Sequence, residues 1–189
     1  MKEVKRILKT EKKKDILYPM YIDTHTHLHH RRFDKDRKLV LEQMEAVGIQ
    51  AFLEVAMDLE SNAIMREKLR EAPMKVRFTA GVHPGARTEK LPLVLHIRDA
   101  HEDALQILRE HGSEHCGVVH CFRAVVRKLP LERILLETDS PYVTPKPKKG
   151  RNTPVNIPEI ARCLARLRRV PAEEIAMVTT ENAKRLFGM

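Results

Sequence analysis

The first residues with a chemical signature are two histidines, His25 and His27, in the segment from Tyr21 to Leu28. The apolar start of this segment predicts a strand, and alternation along a strand places both imidazoles on one face. Histidine is the commonest metal ligand, so the spacing indicates half of a metal site. His29 and His30 follow directly, and a solvated histidine-rich turn is the alternative interpretation.

The elements that must complete such a site are further strands with helices between them. Apolar runs alternate with helical patterns, and this order predicts parallel strands joined by crossover helices, an α/β class. The predicted strands are 21–28, 51–57, 76–82, 93–97, 118–122 and 134–139.

Three helical predictions are specific enough to be checked. The first helix should run from Asp34 to Gly48, with an inner stripe of Leu39, Val40, Met44 and Val47. Another helix is predicted just after the fourth strand, from Asp99. A last helix should span Pro171 to Phe187, with a break and a new cap at Thr180.

Side chains that could bind a metal or move a proton follow most of the predicted strands. The carboxyl ends of parallel barrel strands share one rim, so distant residues converge there. The set comprises His25, His27, His83, His96, His120 and Asp139. Mixed imidazole and carboxylate ligands suit zinc, manganese or iron better than calcium. Such a site activates water for hydrolysis, and Asp139 could bind metal and also accept the proton of the attacking water.

Composition sets the frame for this chemistry. The chain has 189 residues, which is long enough for one domain with a real core. It shows no apolar run that could cross a bilayer and no signal peptide, and its three cysteines follow no disulfide or zinc pattern. We therefore expect a cytoplasmic monomer without a membrane partner.

The net charge of +9 is placed unevenly. Residues 1–14 hold seven Lys or Arg against two Glu, a net +5, which leaves +4 for the rest. We divide the chain into a basic extension, 1–20, and a catalytic domain, 21–189. The extension is either a solvated tail or an arm for a phosphate-rich partner. The same two interpretations apply to a basic loop with Lys146, Lys148, Lys149, Arg151 and Asn152.

Six ordered motifs, spread from about Tyr21 to Met189, closely resemble the TatD family of metal-dependent deoxyribonucleases. The motifs are 22–28, 81–84, 95–100, 120–122, 136–141 and 180–183. The resemblance implies a TIM-barrel fold, (β/α)8, of the amidohydrolase type with two divalent metals. It implies that His25, His27 and Asp139 hold one metal, while His96 and His120 hold the other. Members degrade DNA, often from the 3′ end, and some related proteins remove D-amino acids from tRNA.

The chain departs from this family pattern at two places. The family bridges its metals with a glutamate between the motifs that end at Pro84 and begin at Leu95, and only Gly85 to Pro92 separates His83-Pro84 from the next strand. A helix, strand and helix are also missing where the chain has Arg123 to Arg133. A parallel crossover needs about a dozen residues. We therefore expect a TIM-barrel-like fold with six of the eight strands, open or distorted.

The lost bridging glutamate has two candidate replacements. Glu137 shares the strand face of Asp139, and Glu54 lies inside the second predicted strand. Glu137 is the better candidate of the two, although the family already has a glutamate at that place. We expect divalent ions, Zn, Mg or Mn: two by the family pattern, and one or two here.

The leading functional hypothesis is a metal-dependent hydrolase that cleaves DNA phosphodiester bonds with a metal-activated water. Asp139 would be catalytic, and the substrate-binding candidates are His83, Arg98, Arg151 and Asn152. One alternative is an ester hydrolase of the D-aminoacyl-tRNA deacylase type. Another is a truncated, inactive homologue that binds nucleic acid without the bridging glutamate.

Overall fold

Parallel strands with helices between them form the part of the chain that the computed structural model describes, which is 19–79, 93–96, 106, 109–110, 117–120 and 129–189. The strands are β1 (Tyr21–Thr26), β2 (Ile49–Glu54), β3 (Lys75–Phe78), β4 (Leu93–His96) and β5 (Gly117–His120). The helices are α1 (Arg37–Ala46), α2 (Leu59–Lys68), α3 (Ile157–Arg168) and α4 (Ala172–Phe187). Single 3-10 turns lie at Arg31–Phe33, Leu131–Arg133 and Pro154–Asn156.

The main sheet has the order β1-β2-β3, with both pairs parallel. The predicted sixth strand lies against the free edge of β1 as an extended segment instead of a regular strand. Leu136 O accepts from Thr24 N–H at 3.0 Å, and Ser140 O accepts from His27 N–H at 2.7 Å. Asp139 interrupts the ladder because its φ is 57°, a left-handed conformation. The carboxyl end of β1 therefore lies between β2 on one side and the segment 136–140 on the other.

A second pair, β4 and β5, is also parallel, with His96 and His120 in direct register. The prediction of an α/β, TIM-barrel-like fold is confirmed, and the described strands do not close into a barrel. His83, Arg98 and residues 1–18 lie outside the described residues, as do the connection Gly85 to Pro92 and residues 123–128 of the other connection. Of the helix predicted from Asp99, only residues 106, 109 and 110 are described, and they are helical.

The helices cover the main sheet with apolar side chains, although two details differ from the predicted pattern. In α1, Val40, Leu41 and Met44 are buried, whereas Leu39 is 52% exposed, so the inner stripe is rotated from the predicted one. The helix ends before Gly48, whose φ of 87° a Cβ would strain. The stop at this glycine is confirmed.

The last helix is continuous, and the predicted break at Thr180 is wrong. The Thr180 hydroxyl donates to Met20 O at 2.8 Å and so forms a tertiary contact with the residue just before β1. Ile175 of α4 joins the core with Phe52 of β2 and Ile157 of α3, all fully buried. Burying such a side chain stabilises the fold by about 1.5–3 kcal/mol. No helix in the described part is both long and apolar enough to cross a membrane.

Candidate metal centre

Three buried side chains meet at the carboxyl end of β1. His25 Nε2 and His27 Nε2 are 3.2 Å apart. Asp139 Oδ1 lies 3.7 Å from His25 Nε2 and 3.5 Å from His27 Nε2. Ligands about 2.0–2.1 Å from one tetrahedral ion are about 3.4 Å from each other. The spacing of the three atoms therefore fits a single metal ion.

The chemistry of the donors supports that fit. His27 Nδ1 is 2.7 Å from Val55 O, and a carbonyl only accepts, so this nitrogen carries the proton. In the neutral ring, Nε2 then has the free lone pair that a metal needs, oriented by an outer hydrogen bond. At most one hydrogen can lie between the two Nε2 atoms. His27 Nε2 and the Asp139 carboxylate therefore present lone pairs to one buried space beside His25 Nε2, and a cation can satisfy them. Within the described part of the chain, no other group of three such residues converges.

Asp139 owes its place to the backbone around it. Its N–H donates to His25 O at 2.9 Å, which ties the carboxylate to β1, the strand that carries His25 and ends just before His27. Its left-handed φ of 57° is tolerated by aspartate better than by most side chains. The third ligand is thus brought in by a turn 112 or more residues away from β1, held by strand-like hydrogen bonds.

Asp23 is buried beside the centre but is occupied by other partners. Its carboxyl accepts from Thr138 N–H at 3.0 Å, Thr138 Oγ1 at 2.6 Å and His25 N–H at 3.2 Å. Burial raises the pKa of Asp23 to about 8, and these hydrogen bonds oppose the rise. The side chain therefore joins β1 to the segment that carries Asp139. Because its oxygens accept these hydrogen bonds, we do not count Asp23 among the metal ligands.

The turn after β1 is buried and built around Glu54. His29 is only 3% exposed, so the interpretation of a solvated turn is wrong for this residue. Its Nδ1 donates to Glu54 Oε1 at 2.6 Å, while its Nε2 has no hydrogen-bond partner among the described residues. His30 is half-buried, and its ring accepts from Arg32 N–H. Of the four histidines between residues 25 and 30, only His25 and His27 come within 4 Å of the Asp139 carboxylate.

Sequence reasoning considered Glu54 only as a substitute bridging ligand. The structure shows both of its oxygens engaged by Thr26, Leu28 and His29, which leaves Glu137 as the other candidate. Glu137 is half-buried. Whether it bridges two metals stays a prediction.

The remaining predicted ligands, His96 and His120, end β4 and β5 as register partners. Their backbones are therefore adjacent, as a shared metal would require. Their side chains lie outside the described part, so their role as ligands stays a prediction. His83 and Arg98 lie outside it altogether.

Arg151 and Asn152, predicted to bind substrate, have partners within the protein. Arg151 forms a bidentate ion pair with Asp36 at 2.8 and 2.7 Å, and its guanidinium lies 4.2 Å from the Phe33 ring centre. Asn152 is fully buried, and its amide donates to Thr138 O and Tyr142 O, both at 2.8 Å. Both residues hold the loop after Asp139, and a substrate contact stays a prediction.

Tyr142 borders the centre and was missed by sequence reasoning. Its ring centre lies 5.7 Å from that of His27 and 5.9 Å from that of His30, both edge-on. The ring is 38% exposed, and its hydroxyl lies 3.7 Å from Met57 Sδ. The sequence signal that could have identified Tyr142 is its position, three residues after the candidate ligand Asp139.

The geometry defines an α/β, barrel-like protein with a histidine and carboxylate metal centre at the strand ends. The sequence profile of the TatD related DNase family matches residues 22–90, 85–124 and 122–188. The chain belongs to the TatD family. The junctions of the three matched stretches fall where the two family segments are missing from the sequence.

Curated relatives agree with this assignment. The uncharacterized metal-dependent hydrolase YcfH of Escherichia coli K12 is 32% identical over 184 residues, covering 80% of this chain and 66% of the relative. YabD of Bacillus subtilis, named in the same way, is 37% identical over 135 residues, with 54% and 53% covered. The 3′-5′ ssDNA/RNA exonuclease TatD of Edwardsiella piscicida is 33% identical over 156 residues, with 62% and 60% covered. The chain thus spans about half to two-thirds of these relatives.

Solved structures share the fold. YJJV, a TatD homolog from Escherichia coli K12, superimposes with a TM-score of 0.81 at 23% identity, covering 92% of this chain and 100% of that one. A TatD family hydrolase from Entamoeba histolytica gives a TM-score of 0.77 at 17% identity, with 89% and 98% covered. At such identities the likeness speaks for the fold alone.

Proposed function

We propose that the protein is a metal-dependent hydrolase that cleaves phosphodiester bonds in DNA. The observation that carries this proposal is the convergence of His25, His27 and Asp139 at single-ion spacing in a TatD-family chain. A divalent cation held there polarises a phosphoryl oxygen and lowers the pKa of water toward neutrality. The protein's part is to present the side-chain atoms of His25, His27 and Asp139 together in a buried space.

Asp139 has the catalytic role among these residues. Its Oδ1 faces both imidazoles at 3.5–3.7 Å, and we assign its Oδ2 to accept the proton of the attacking water. The left-handed turn at Asp139 keeps the carboxylate beside the histidines while the chain leaves toward Tyr142. His25 and His27 bind and orient without taking part in proton transfer.

A nucleic acid substrate is supported by the surroundings of the centre. Tyr142 offers a partly exposed aromatic face on which a base could stack. Lys146 and Lys149 are exposed on the loop that follows, with no ion pair inside the described part of the chain. One relative is named a 3′-5′ ssDNA/RNA exonuclease. Single-stranded DNA is therefore the substrate to test first.

We also propose that His96 and His120 hold a second ion, by the family pattern, with Zn, Mg or Mn as the candidate metals. The adjacency of their backbones supports a shared ligand set. The monomeric state and the cytoplasmic location are proposals of the same kind, drawn from composition.

The decisive experiment is cleavage of end-labelled single-stranded DNA with Mg²⁺, Mn²⁺ or Zn²⁺. The wild-type protein should degrade it, and the double variant His25→Ala with His27→Ala should not. Gln43→Ala, at an exposed position of α1, is the matched control and should behave as wild type. Equal residual cleavage by the wild type and the double variant would reject the proposal. Labels at either end report the direction of degradation.

Two alternatives remain distinguishable in the same preparation. A D-aminoacyl-tRNA deacylase would release the amino acid from charged tRNA faster than it cleaves DNA. An inactive nucleic-acid-binding homologue, which the missing bridging glutamate favours, would retain DNA in a salt-dependent manner without turnover. Metal analysis separates it further, since two tightly bound ions per chain contradict the inactive form.

A further inference from the structure

We infer that Glu54 is a positioning residue that holds the metal ligand His27 in place through the turn that follows β1. This inference rests on the proposed metal centre. Glu54 is the last residue of β2 and is fully buried. Thr26, at the end of β1, is its register partner. The carboxyl group therefore lies directly beside the point where the histidine-bearing strand ends.

Each oxygen of this carboxyl group accepts two hydrogen bonds, and all four donors belong to the same short stretch of chain. Oε2 accepts from Thr26 Oγ1 at 2.7 Å and Leu28 N–H at 3.0 Å. Oε1 accepts from His29 N–H at 2.6 Å and His29 Nδ1 at 2.6 Å. The donors bracket His27 on both sides along the chain. With its near lone pairs used in this way, the group has no oxygen left to bridge two metals.

The backbone carbonyl groups of the turn accept hydrogen bonds from two cationic side chains. Arg37 Nε donates to Leu28 O at 2.8 Å, and Lys68 Nζ donates to His29 O at 3.0 Å. Both cations also bind Asp34, which keeps them near the turn. The N–H groups of Leu28 and His29 are thus served by Glu54, and their carbonyls by side chains of α1 and α2. The turn is fixed by tertiary contacts instead of its own secondary structure.

The neighbour of Glu54 acts on His27 directly. Val55 O accepts from His27 Nδ1 at 2.7 Å, and Val55 N–H donates to Thr26 O at 2.8 Å. The last residue of β2 and its neighbour therefore set the main-chain position around His27 and the ring nitrogen that carries its proton. Removing Glu54 would release the turn, and Nε2 of His27 would lose its fixed distance to His25 and Asp139.

Glu54→Gln tests this inference with a side chain of the same shape. An amide has one oxygen where the carboxyl has two, and its NH₂ group would face the donors of Thr26 and Leu28 or those of His29. Affinity for Zn²⁺ should fall about 10–100-fold, the usual effect of losing a group that orients a metal ligand. Ile175→Ala is the control, because it removes a fully buried core side chain far along the chain from the turn. It should lower thermal stability with an unchanged Zn²⁺ dissociation constant.

Metal-free protein supplies the second measurement. Nitrogen-detected NMR of the His27 ring should show the Nδ1–H form in the wild type, and a mixture of ring forms or broadened signals in Glu54→Gln. If the wild type binds none of Zn²⁺, Mg²⁺ and Mn²⁺, the proposed function fails and this measurement alone decides the inference. Unchanged ring signals together with an unchanged dissociation constant would overturn it. If Glu54→Gln does not fold, Thr26→Val removes one donor, and a several-fold loss of affinity is expected, whereas no loss would contradict the inference.

Discussion

The two candidate pairs of metal-binding histidines differ in how their members are brought together. His25 lies in β1 and His27 directly follows its last residue, with one residue between them, whereas His96 and His120 end two neighbouring strands in register. The first pair is adjacent because of local backbone geometry. The second is adjacent only because β4 and β5 pair in one register out of several. A metal site can therefore be founded on one strand, but its completion depends on strands that the fold must bring together.

The two pairs also differ in their surroundings. The first pair has Asp139 within 3.7 Å, a carbonyl at His27 Nδ1 and a buried turn braced by Glu54. By the family resemblance a glutamate should link the second pair to the first, and the segment that would carry it is missing from the sequence. We therefore expect the first pair to bind its ion more tightly than the second, and the following experiments test that order.

The largest effect is expected at the third ligand of the first pair. Asp139→Asn keeps the shape of the side chain but removes a negative ligand and the proton acceptor. Loss of several kcal/mol of transition-state stabilisation corresponds to a fall in kcat/KM of about 10³-fold. Initial rates on single-stranded DNA measure it. Retention of a tenth or more of the wild-type rate would show that the first site is not the catalytic one.

A smaller effect is expected at the second pair. The double variant His96→Ala with His120→Ala should lose one bound ion while keeping the other at His25 and His27, and its rate should fall about 10–100-fold. Metal content after gel filtration and initial rates measure the two effects separately. If this variant instead loses all metal, the first pair does not hold an ion by itself, and the expected order is wrong.

The turn that carries Asp139 should depend on Asn152 for stability. Asn152→Ala removes a buried amide that donates to Thr138 O and Tyr142 O, leaving both carbonyls without that partner. The expected cost is about 1–3 kcal/mol of unfolding free energy. Urea denaturation of the metal-free protein measures it. Thr144→Ala, which loses one hydrogen bond in the exposed part of the same loop, is the control and should cost less.

The smallest effect is expected from an ion pair outside the centre. Hydrogen bonds from Arg151 hold the pKa of Asp36 below its ordinary value of 3.8. The stability that this pair contributes is therefore present above about pH 4 and is lost as the pH falls through the lowered pKa. Asp36→Asn should cost at most about 1 kcal/mol at pH 7, since the pair is partly exposed. Thermal melts of both proteins should converge toward pH 3, and a gap that persists there would assign the effect to packing.

Much of the fold was predictable because hydrophobic periodicity is local. The strands at 21, 51, 76, 93 and 118 were found in the right order, with boundaries shifted by a few residues. The rotated stripe of α1 was missed because the face that a helix turns to the sheet is set by tertiary packing, which leaves Leu39 exposed. The uninterrupted α4 was missed because the Thr180 hydroxyl bonds to Met20 O and does not cap a new helix. The predicted last strand became an irregular segment, since the left-handed turn at Asp139 stops regular pairing.

By itself, the sequence determined that His25 and His27 project together, because a strand alternates its side chains, and that Asp139 follows an apolar run of strand character. It also determined the family, through six ordered motifs. Only the tertiary structure decided that His29 turns away to Glu54, that Asp23 ties β1 to Thr138, and that Arg151 pairs with Asp36. A buried polar group must find a partner wherever the packed chain supplies one, and such partners lie 25 to 115 residues away in the sequence.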